Sequence, residues 1–245
     1  MNSESEAASF SKTELLIAVI ARLLIGTRHV AVGASSPIPG SAALLARSLS
    51  LGKTRVSILG SQHHNSFTDG GVELFDLAAQ GRVDAFFLGG GQIDGQANIN
   101  LVGTGDYPSV AVRWPGSFGS SYLYYLISRV ILFREEHTRR VMVQKVDFIS
   151  TPGVSDATLY RPGGPHGMVT SLGVFSFNRE RRRFRLESVH PGYTIEEILD
   201  NTGFEFDVSG ECPVTPAPAV EWLRLIRTQV RDQVAVVYPR FAMAM

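Results

Sequence analysis

Cysteine is almost absent from this sequence, and neither sign of charge is in excess. The 245 residues include one cysteine, Cys212, which excludes an internal disulfide framework and fits a reducing compartment. The 23 basic side chains balance 23 acidic ones. This balance argues against broad electrostatic binding to nucleic acid or to an anionic membrane, and leaves open only a local basic patch.

Long hydrophobic runs are also missing. The longest apolar stretch near the start, LLIAVIARLLIG, is too short to span a bilayer and carries Arg22 in its middle. The residues before it include Glu4, Glu6 and Glu14 with only Lys12 positive, whereas a secretory signal needs a positive start. These absences predict a cytoplasmic protein with no membrane segment.

The overall composition is that of a folded chain. Hydrophobic residues make up 44% and charged residues 19% of the sequence, which is enough to form a sizeable core and argues against disorder. The sequence contains no internal repeat, low-complexity tract or convincing linker. We therefore expect a single domain over residues 1–245.

Strand and helix patterns alternate through the first half of the chain. This alternation predicts an α/β fold: an open, mostly parallel sheet with helices on both faces, followed by a C-terminal hairpin and helices. Ser11 and Glu14 form a capping-box pattern at the start of the first helix. The predicted helices are 11–25, from about 40, 70–81, 194–203 and 217–232; the predicted strands are 29–33, 54–60, 83–91, 108–114, 129–133 and 139–150, with a hairpin around 178–182.

Glycine-rich loops follow several predicted strands, at 33–40, 60–71, 89–100 and 114–122. Ligands of open parallel sheets bind outside the carboxyl ends of the strands, so these loops are the candidate site. The loop GGGQIDGQANIN is not a dinucleotide fingerprint, because its third glycine position is Asp94, and no Walker lysine follows it. From residue types alone, a tight turn with Asp94–Gly95 in a β-turn is the more common interpretation.

Other reactive side chains form no convincing site. His63 and His64 are neighbours, which on an extended segment point to opposite faces, and no Cys/His spacing indicates a metal. The run RERRRFR (179–185) is more typical of a solvated hairpin turn than of a phosphate site. We therefore expect no metal.

Several blocks of the sequence are similar, in their order and spacing, to one family. Together they resemble the β subunits of class I coenzyme A transferases, and in particular the β subunit of the glutaconate CoA-transferase type. The resemblance covers most of the chain, from about Thr13 to Arg231. The blocks are GGGQIDGQANIN (89–100), GTGDY (103–107), PGSFG (115–119), HTRRVMVQKVDFISTPG (137–153) and HPGYTIEEILDNTGFEFDV (190–208).

The resemblance implies a two-chain enzyme with the active site between its α and β subunits, assembled into a higher oligomer of αβ units. It implies a coenzyme A thioester as substrate and no permanently bound cofactor. In such enzymes the loop after the strand 83–91 helps form the acyl-CoA pocket, where glycine N–H groups and carboxamides stabilise a developing oxyanion. The pocket residues expected on this basis are Gly60, Ser61, Gln62, Gly90, Gly91, Gln92, Asp94, Asn98, Gly116 and Gly119.

One departure from the family concerns the nucleophile. These transferases attack the thioester with a glutamate at the end of the second strand. The corresponding position here falls on Leu59 or Gly60, neither of which is a nucleophile, and the nearest acid downstream is Asp69. No catalytic residue can therefore be assigned from the resemblance.

Three functions stay open at this point. The leading one is a subunit that moves CoA between an acyl-CoA and a carboxylic acid. A related branch, the heteromeric CoA-dependent hydrolases of steroid ring cleavage, shares SLGVF (171–175) and HPG (190–192) with this chain. That branch implies water-dependent cleavage of a cyclic or β-keto acyl-CoA, with the working acid on the α chain. The third is a structural chain with no chemistry of its own.

Overall fold

The computed structural model describes residues 9–68, 71–208 and 210–245. Asp69, the acid that the sequence places nearest after Gly60, lies outside the described residues, as do Glu4 and Glu6. The helices are α1 Lys12–Leu23, α2 Pro37–Leu49, α3 Gly71–Ala79, α4 Ser120–Leu126, α5 Ile195–Asn201, α6 Val220–Leu225, α7 Arg231–Ala235 and α8 Pro239–Met243, with a π-helical segment, Ile226–Val230, between α6 and α7. The strands are β1 His29–Val32, β2 Arg55–Ile58, β3 Ala85–Leu88, β4 Gln92–Ile93, β5 Ile99–Asn100, β6 Gly103–Thr104, β7 Val112–Arg113, β8 Arg129–Arg134, β9 Pro165–Thr170, β10 Gly173–Asn178, β11 Arg183–Val189 and β12 Asp207–Val208.

Eight of these strands form one open sheet, in the order β12-β11-β10-β9-β8-β3-β1-β2. Five neighbouring strands, β9, β8, β3, β1 and β2, are parallel to one another. β10 is antiparallel to both β9 and β11. The predicted fold class, a mostly parallel sheet with a C-terminal hairpin, is confirmed. The carboxyl ends of β1, β3 and β8 lie at the same edge.

Alternating side chains of the central strands supply two hydrophobic cores, one on each face. Val30 and Val32 pack under α1, α2 and the C-terminal helices. Ala31, from the same strand, points to the opposite face, where the core includes residues of α3, α4 and α5. This division follows from the two-residue period of a strand and explains why both faces are covered by helices.

Helix boundaries follow local capping chemistry. The Ser11 hydroxyl accepts a hydrogen bond from the Glu14 N–H (3.2 Å), and the Glu14 carboxylate accepts one from the Ser11 N–H (2.8 Å), so the predicted capping box is confirmed. The predicted start of α2 at about Gly40 was too late, because the helix begins at Pro37. The first amides of a helix have no intrahelical acceptor, so Pro37 and Pro39 fit its first turn without losing a bond.

Two predicted strands were wrong. Of 108–114, only β7 is a strand, and it pairs with β6 in a separate two-stranded ladder. The segment 139–150 contains no strand; Met142 makes a single bridge to Ile93. Val141 and Met142 are buried there because the segment covers the core as a loop.

Candidate functional site

A cleft of about 790 Å³ opens where β1, β3 and β8 end. Parallel strands direct their carboxyl ends to one edge, and this is the edge where the sequence predicted a ligand. The loop after β1 supplies residues 34–39, the turn after β3 supplies Gly89, Gly90 and Gly91, and the end of β8 supplies Arg134 and Glu135. Apolar side chains, Trp114 among them, also line the cleft.

Glycine is required at position 91 by a close approach. A Cβ on Gly91 would overlap the indole ring of Trp114. Bare backbone therefore packs against the Trp114 ring and forms the floor of the cleft. The Gly91 N–H donates to the carbonyl of Asn100 (3.0 Å), whereas the Gly90 N–H has no acceptor among the described residues.

The polar loop after this floor is held together by its own side chains. Asp94 is 5% exposed, and its carboxylate accepts hydrogen bonds from the N–H groups of Gln96 (3.0 Å) and Asn98 (3.1 Å) and from the side-chain amide of Asn98 (3.1 Å). The Asn98 carbonyl oxygen accepts one from the N–H of Gly153 (3.0 Å). Asp94 and Asn98 therefore fix the turn and tie it to the segment before β9.

Gln92 has a comparable role one turn earlier. Its side-chain oxygen accepts hydrogen bonds from the Asn100 amide (2.8 Å) and the Asp147 N–H (2.9 Å), and it is 6% exposed. The Asn100 amide also donates to the Gly103 carbonyl (2.7 Å). Among the residues expected in the pocket, Gly90, Gly91 and Gly116 line the cleft, whereas Gln92, Asp94 and Asn98 lie behind its floor.

The remaining expected residues lie in turns outside the cleft lining. Gly60 has φ +85°, a conformation that glycine adopts without strain. The Ser61 hydroxyl accepts hydrogen bonds from the N–H groups of His63 (3.3 Å) and His64 (2.9 Å), which closes a turn that includes Gln62. Gly119 lies against the Phe75 ring, where a Cβ would overlap it. Leu59, Gly60 and Ser61 contribute no carboxylate to the end of β2.

Sequence reasoning missed a charged cluster at the end of β8. Glu136 accepts hydrogen bonds from Arg140 (2.6 Å), Arg134 (3.2 Å) and the Thr138 hydroxyl (2.9 Å). Burial acts to raise the pKa of Glu136, but these hydrogen bonds and the charge of Arg140 outweigh it and hold the pKa below its ordinary value. Glu136 is therefore an ionised anchor for the two arginines.

Glu135 differs from its neighbour. It is exposed, lines the cleft, and its carboxylate has no hydrogen-bond or ion-pair partner among the described residues. The signal was present in the sequence, since this residue follows a predicted strand at the end where α/β sheets bind ligands. A shallower recess of about 590 Å³, also lined by Lys12 and Ser171, adjoins the cleft at Glu135.

A buried histidine, His137, follows these two glutamates. The His137 ring lies between the hydroxyls of Thr170 (2.8 Å) and Thr202 (2.9 Å). Burial lowers the pKa of His137 to about 4, so the ring is neutral at pH 7. His137 is a structural spacer between β9 and the end of α5.

Two further features concern metal ligands and membrane-spanning helices. Across residues 9–68, 71–208 and 210–245, no group of three or more His, Cys, Asp or Glu side chains has the arrangement of a metal site. In the same part of the chain, no helix is long and apolar enough to cross a membrane.

Comparison with known proteins identifies the family to which this chain belongs. The family model for coenzyme A transferase matches residues 9–201. The B subunit of glutaconate CoA-transferase from Acidaminococcus fermentans is 34% identical over 152 residues, which cover 59% of this chain and 56% of the relative. The IpdB subunit of the cholesterol ring-cleaving hydrolase from Rhodococcus jostii is 34% identical over 165 residues, which cover 63% of this chain and 62% of the relative. The chain thus spans about three fifths of the length of these relatives.

Solved structures are similar to this chain over more of its length. The crystal structure of IpdAB from Rhodococcus jostii matches with a TM-score of 0.79 and 27% identity, covering 90% of this chain and 94% of that one. A variant of the decarboxylase AibA/AibB matches with a TM-score of 0.77 and 25% identity, covering 89% of this chain and 95% of that one. The resemblance inferred from the sequence blocks is confirmed.

Proposed function

Because the chain belongs to the coenzyme A transferase family, we propose that it is the B-type component of a heteromeric enzyme that processes acyl-CoA thioesters in the cleft at the carboxyl ends of β1, β3 and β8. The named relatives of known structure, IpdAB and AibA/AibB, each carry an A and a B component in their names. An A-type component is accordingly the proposed partner here. Its surface would close the open side of the cleft.

The cleft wall suits an apolar acyl group. Ile38, Leu101, Trp114 and Phe133 line it, and burial of apolar substrate surface against such side chains is favourable by about 25 cal/mol per Å². Gly90 lines the cleft, and its N–H has no acceptor among the described residues. A backbone N–H with no acceptor is suited to stabilise negative charge that develops on a thioester oxygen.

Leu59, Gly60 and Ser61 place no carboxylate at the end of β2, and this observation favours hydrolysis over CoA transfer. A ping-pong transferase holds CoA as a thioester on an enzyme carboxylate between half-reactions. Leu59 and Gly60 have no such group, and the Ser61 hydroxyl is occupied by two backbone N–H groups. Hydrolytic cleavage of a carbon–carbon bond in a cyclic or β-keto acyl-CoA needs no covalent intermediate, and it is the reaction we propose.

In that reaction water adds to the ketone carbon of the acyl group. The bond from this carbon to the α-carbon then breaks, and its electron pair passes to the α-carbon, where the thioester carbonyl delocalises it. A proton derived from the water ends on the α-carbon, which leaves a carboxylic acid and a CoA thioester. The Gly90 N–H would stabilise the thioester oxygen, and the A-type component would supply the group that moves the proton.

CoA transfer is the second candidate, and Glu135 is the observation that favours it. It lines the cleft and its carboxylate has no partner among the described residues, so this carboxylate is available to attack a thioester. It lies at the end of β8 rather than β2. A transferase built on Glu135 would therefore place the acyl group differently from one built at the end of β2.

Tracing oxygen separates the candidates. The chain is co-expressed with an A-type component, and the purified complex is incubated with a cyclic β-keto acyl-CoA in water enriched in heavy oxygen. Hydrolysis places one heavy oxygen in the new carboxylic acid. Transfer requires an added carboxylic acid acceptor and places none. Full activity of the A-type component without this chain would contradict both and support a structural role.

A further inference from the structure

A second, basic pocket lies at the edge of the sheet, away from the cleft. It has a volume of about 250 Å³ and forms between the last turn of α2, the start of β2 and the loop 63–66, which folds back beside the strand. β2 is the terminal strand of the sheet. The β2-edge pocket, as we name it, is lined by Arg47, Thr54, Arg55, His63, His64 and Asn65, among others.

Uncompensated positive charge distinguishes this pocket. Neither Arg47 nor Arg55 makes an ion pair with a carboxylate in the part of the chain that the structure describes, and no acidic residue lines the pocket. The exposed Arg28, by contrast, pairs with Asp84 (2.8 Å). The two arginines therefore give the lining two positive charges, and no carboxylate of the lining opposes them.

The contact between Arg47 and His64 supports the same view. An Arg47 guanidinium nitrogen lies 3.2 Å from Nδ1 of His64. Because arginine only donates hydrogen bonds, Nδ1 must accept and the ring is neutral. Burial is the main cause that lowers the pKa of His64, and the charge of Arg47 and the neighbouring His63 lower it further. The side-chain contact of Arg47 is thus with a neutral ring and leaves the charge of Arg47 uncompensated.

Two polar side chains, Asn65 and Ser66, line the pocket together with the arginines. The Asn65 side-chain oxygen accepts from the Phe67 N–H (3.2 Å), which leaves its NH₂ group to donate. The Ser66 hydroxyl, 2.7 Å from that of Ser57, adds a further polar group at the rim. The volume corresponds to about eight water molecules at ~30 Å³ each, which is room for a tetrahedral oxyanion.

We propose that the β2-edge pocket binds a phosphate group through Arg47 and Arg55. Arginine forms paired hydrogen bonds to phosphate oxygens, and two guanidinium groups with no carboxylate partner provide both the charge and the donors. The phosphate is either free in solution or carried as an ester on a nucleotide-type molecule. This site is separate from the cleft and does not depend on the reaction proposed there.

Titration of the full-length chain with inorganic phosphate at low ionic strength, followed by isothermal calorimetry, tests the site. We expect saturable binding of one phosphate, weakened about tenfold or more in Arg55→Gln and in Arg47→Gln, since each removes a charge-assisted hydrogen bond. Lys53→Gln is the matched control. Lys53 is exposed on the same loop and outside the pocket lining, so its loss should change the dissociation constant by less than about twofold.

The same variants distinguish the two sources of phosphate. If a phosphate ester is the ligand, adenosine 3′,5′-bisphosphate should bind more tightly than inorganic phosphate, and Arg55→Gln should weaken both. If the two affinities are equal, the ligand is free phosphate. Far-UV circular dichroism verifies that each variant is folded. Absence of saturable phosphate binding to the wild-type chain would overturn the proposal. Equal weakening by Lys53→Gln and Arg55→Gln would also overturn it, because the attraction would then be general charge.

Discussion

The side-chain amide of Asn98 donates a hydrogen bond to the carboxylate of Asp94, 3.1 Å away, while its oxygen accepts one from the Gly153 N–H. Both side chains are buried, so this pair joins the turn behind the cleft floor to the segment that leads into β9. A carboxylate and a carboxamide after a glycine run suggested direct contact with substrate. Their hydrogen bonds explain how the glycine floor keeps its shape.

Asn98→Ala should therefore act first on stability. It leaves Oδ2 of the buried Asp94 carboxylate and the Gly153 N–H without their hydrogen-bond partner, while the two N–H groups that donate to Oδ1 of Asp94 stay in place. Each of the two losses costs about 1–3 kcal/mol of the free energy of unfolding. Gln96→Ala, at an exposed position in the same turn, is the control and should change that free energy by less than about 0.5 kcal/mol. Urea unfolding measures both. Unchanged stability in Asn98→Ala, together with a roughly hundredfold loss of kcat, would instead favour direct contact with substrate.

The Gly91 floor gives a second prediction. In Gly91→Ala the new methyl group overlaps the Trp114 ring, so the ring must move and overpacking should cost about 1–3 kcal/mol. The displaced indole should shift in fluorescence when Trp222 is first replaced by Phe, and acyl-CoA affinity should fall. Gly33→Ala is the control, because its methyl would meet its nearest neighbour at an ordinary 3.8 Å. An unshifted Trp114 spectrum in Gly91→Ala would contradict the packing described.

Much of this architecture was readable from the sequence, and the exceptions have local causes. The capping boxes at Ser11 and Thr194 and the hairpin after Asn178 use short-range chemistry that appears directly in the residue pattern. The apolar run at Val141 and Met142 has the composition of a strand, but its neighbour Ile93 belongs to a strand of two residues. With so short a partner, burial holds the run in place as a loop.

The candidate site, too, could be predicted from the sequence only in part. Gly90 and Gly91 were expected in the pocket from the family resemblance, whereas the packing that requires glycine at position 91 was not. The partner that imposes it, Trp114, is more than twenty positions away in the sequence, and nothing local links the two. Glu135 was missed because an acid beside Glu136 and Arg134 has the pattern of ordinary surface charge. The side-chain positions in the folded chain distinguish Glu135, which lines the cleft, from Glu136, which is held by arginines.

Acid should destabilise the fold through two buried histidines. Burial lowers the pKa of both His137 and His190 to about 4, from an ordinary value of 6.5. Above pH 6.5 both are neutral in the folded and unfolded chains, so their contribution to stability is complete. As the pH falls towards 4, the unfolded chain takes up protons that the folded chain refuses, and the free energy of unfolding falls by up to about 3 kcal/mol for each.

Thermal unfolding at intervals between pH 7 and pH 4 measures this slope. His137→Gln should flatten it, because glutamine does not titrate, even if the variant is less stable at pH 7. The two effects should not simply add, since His137 contacts the Thr170 hydroxyl and His190 contacts the Thr170 carbonyl. A slope that is the same in the wild-type chain and in both His→Gln variants would show that these rings do not titrate as described.

The last prediction concerns covalent chemistry on this chain. If the reaction is hydrolytic, no step joins CoA or the acyl group to a side chain, and Leu59 and Gly60 offer no group for such a bond. The complex, stopped during turnover and digested, should yield unmodified peptides for 55–82 and 130–139 by mass spectrometry. Borohydride should convert no carboxylate in them to an alcohol.

The positive control is a family transferase with the glutamate at the end of its second strand, which should give both signals under the same conditions. An adduct on Glu135, lost in Glu135→Gln together with all activity, would establish transfer through the end of β8 and reject the hydrolytic proposal. An adduct within 55–82 would also reject the hydrolytic proposal, and fragmentation of the peptide would assign it to Asp69, Glu73 or Asp76.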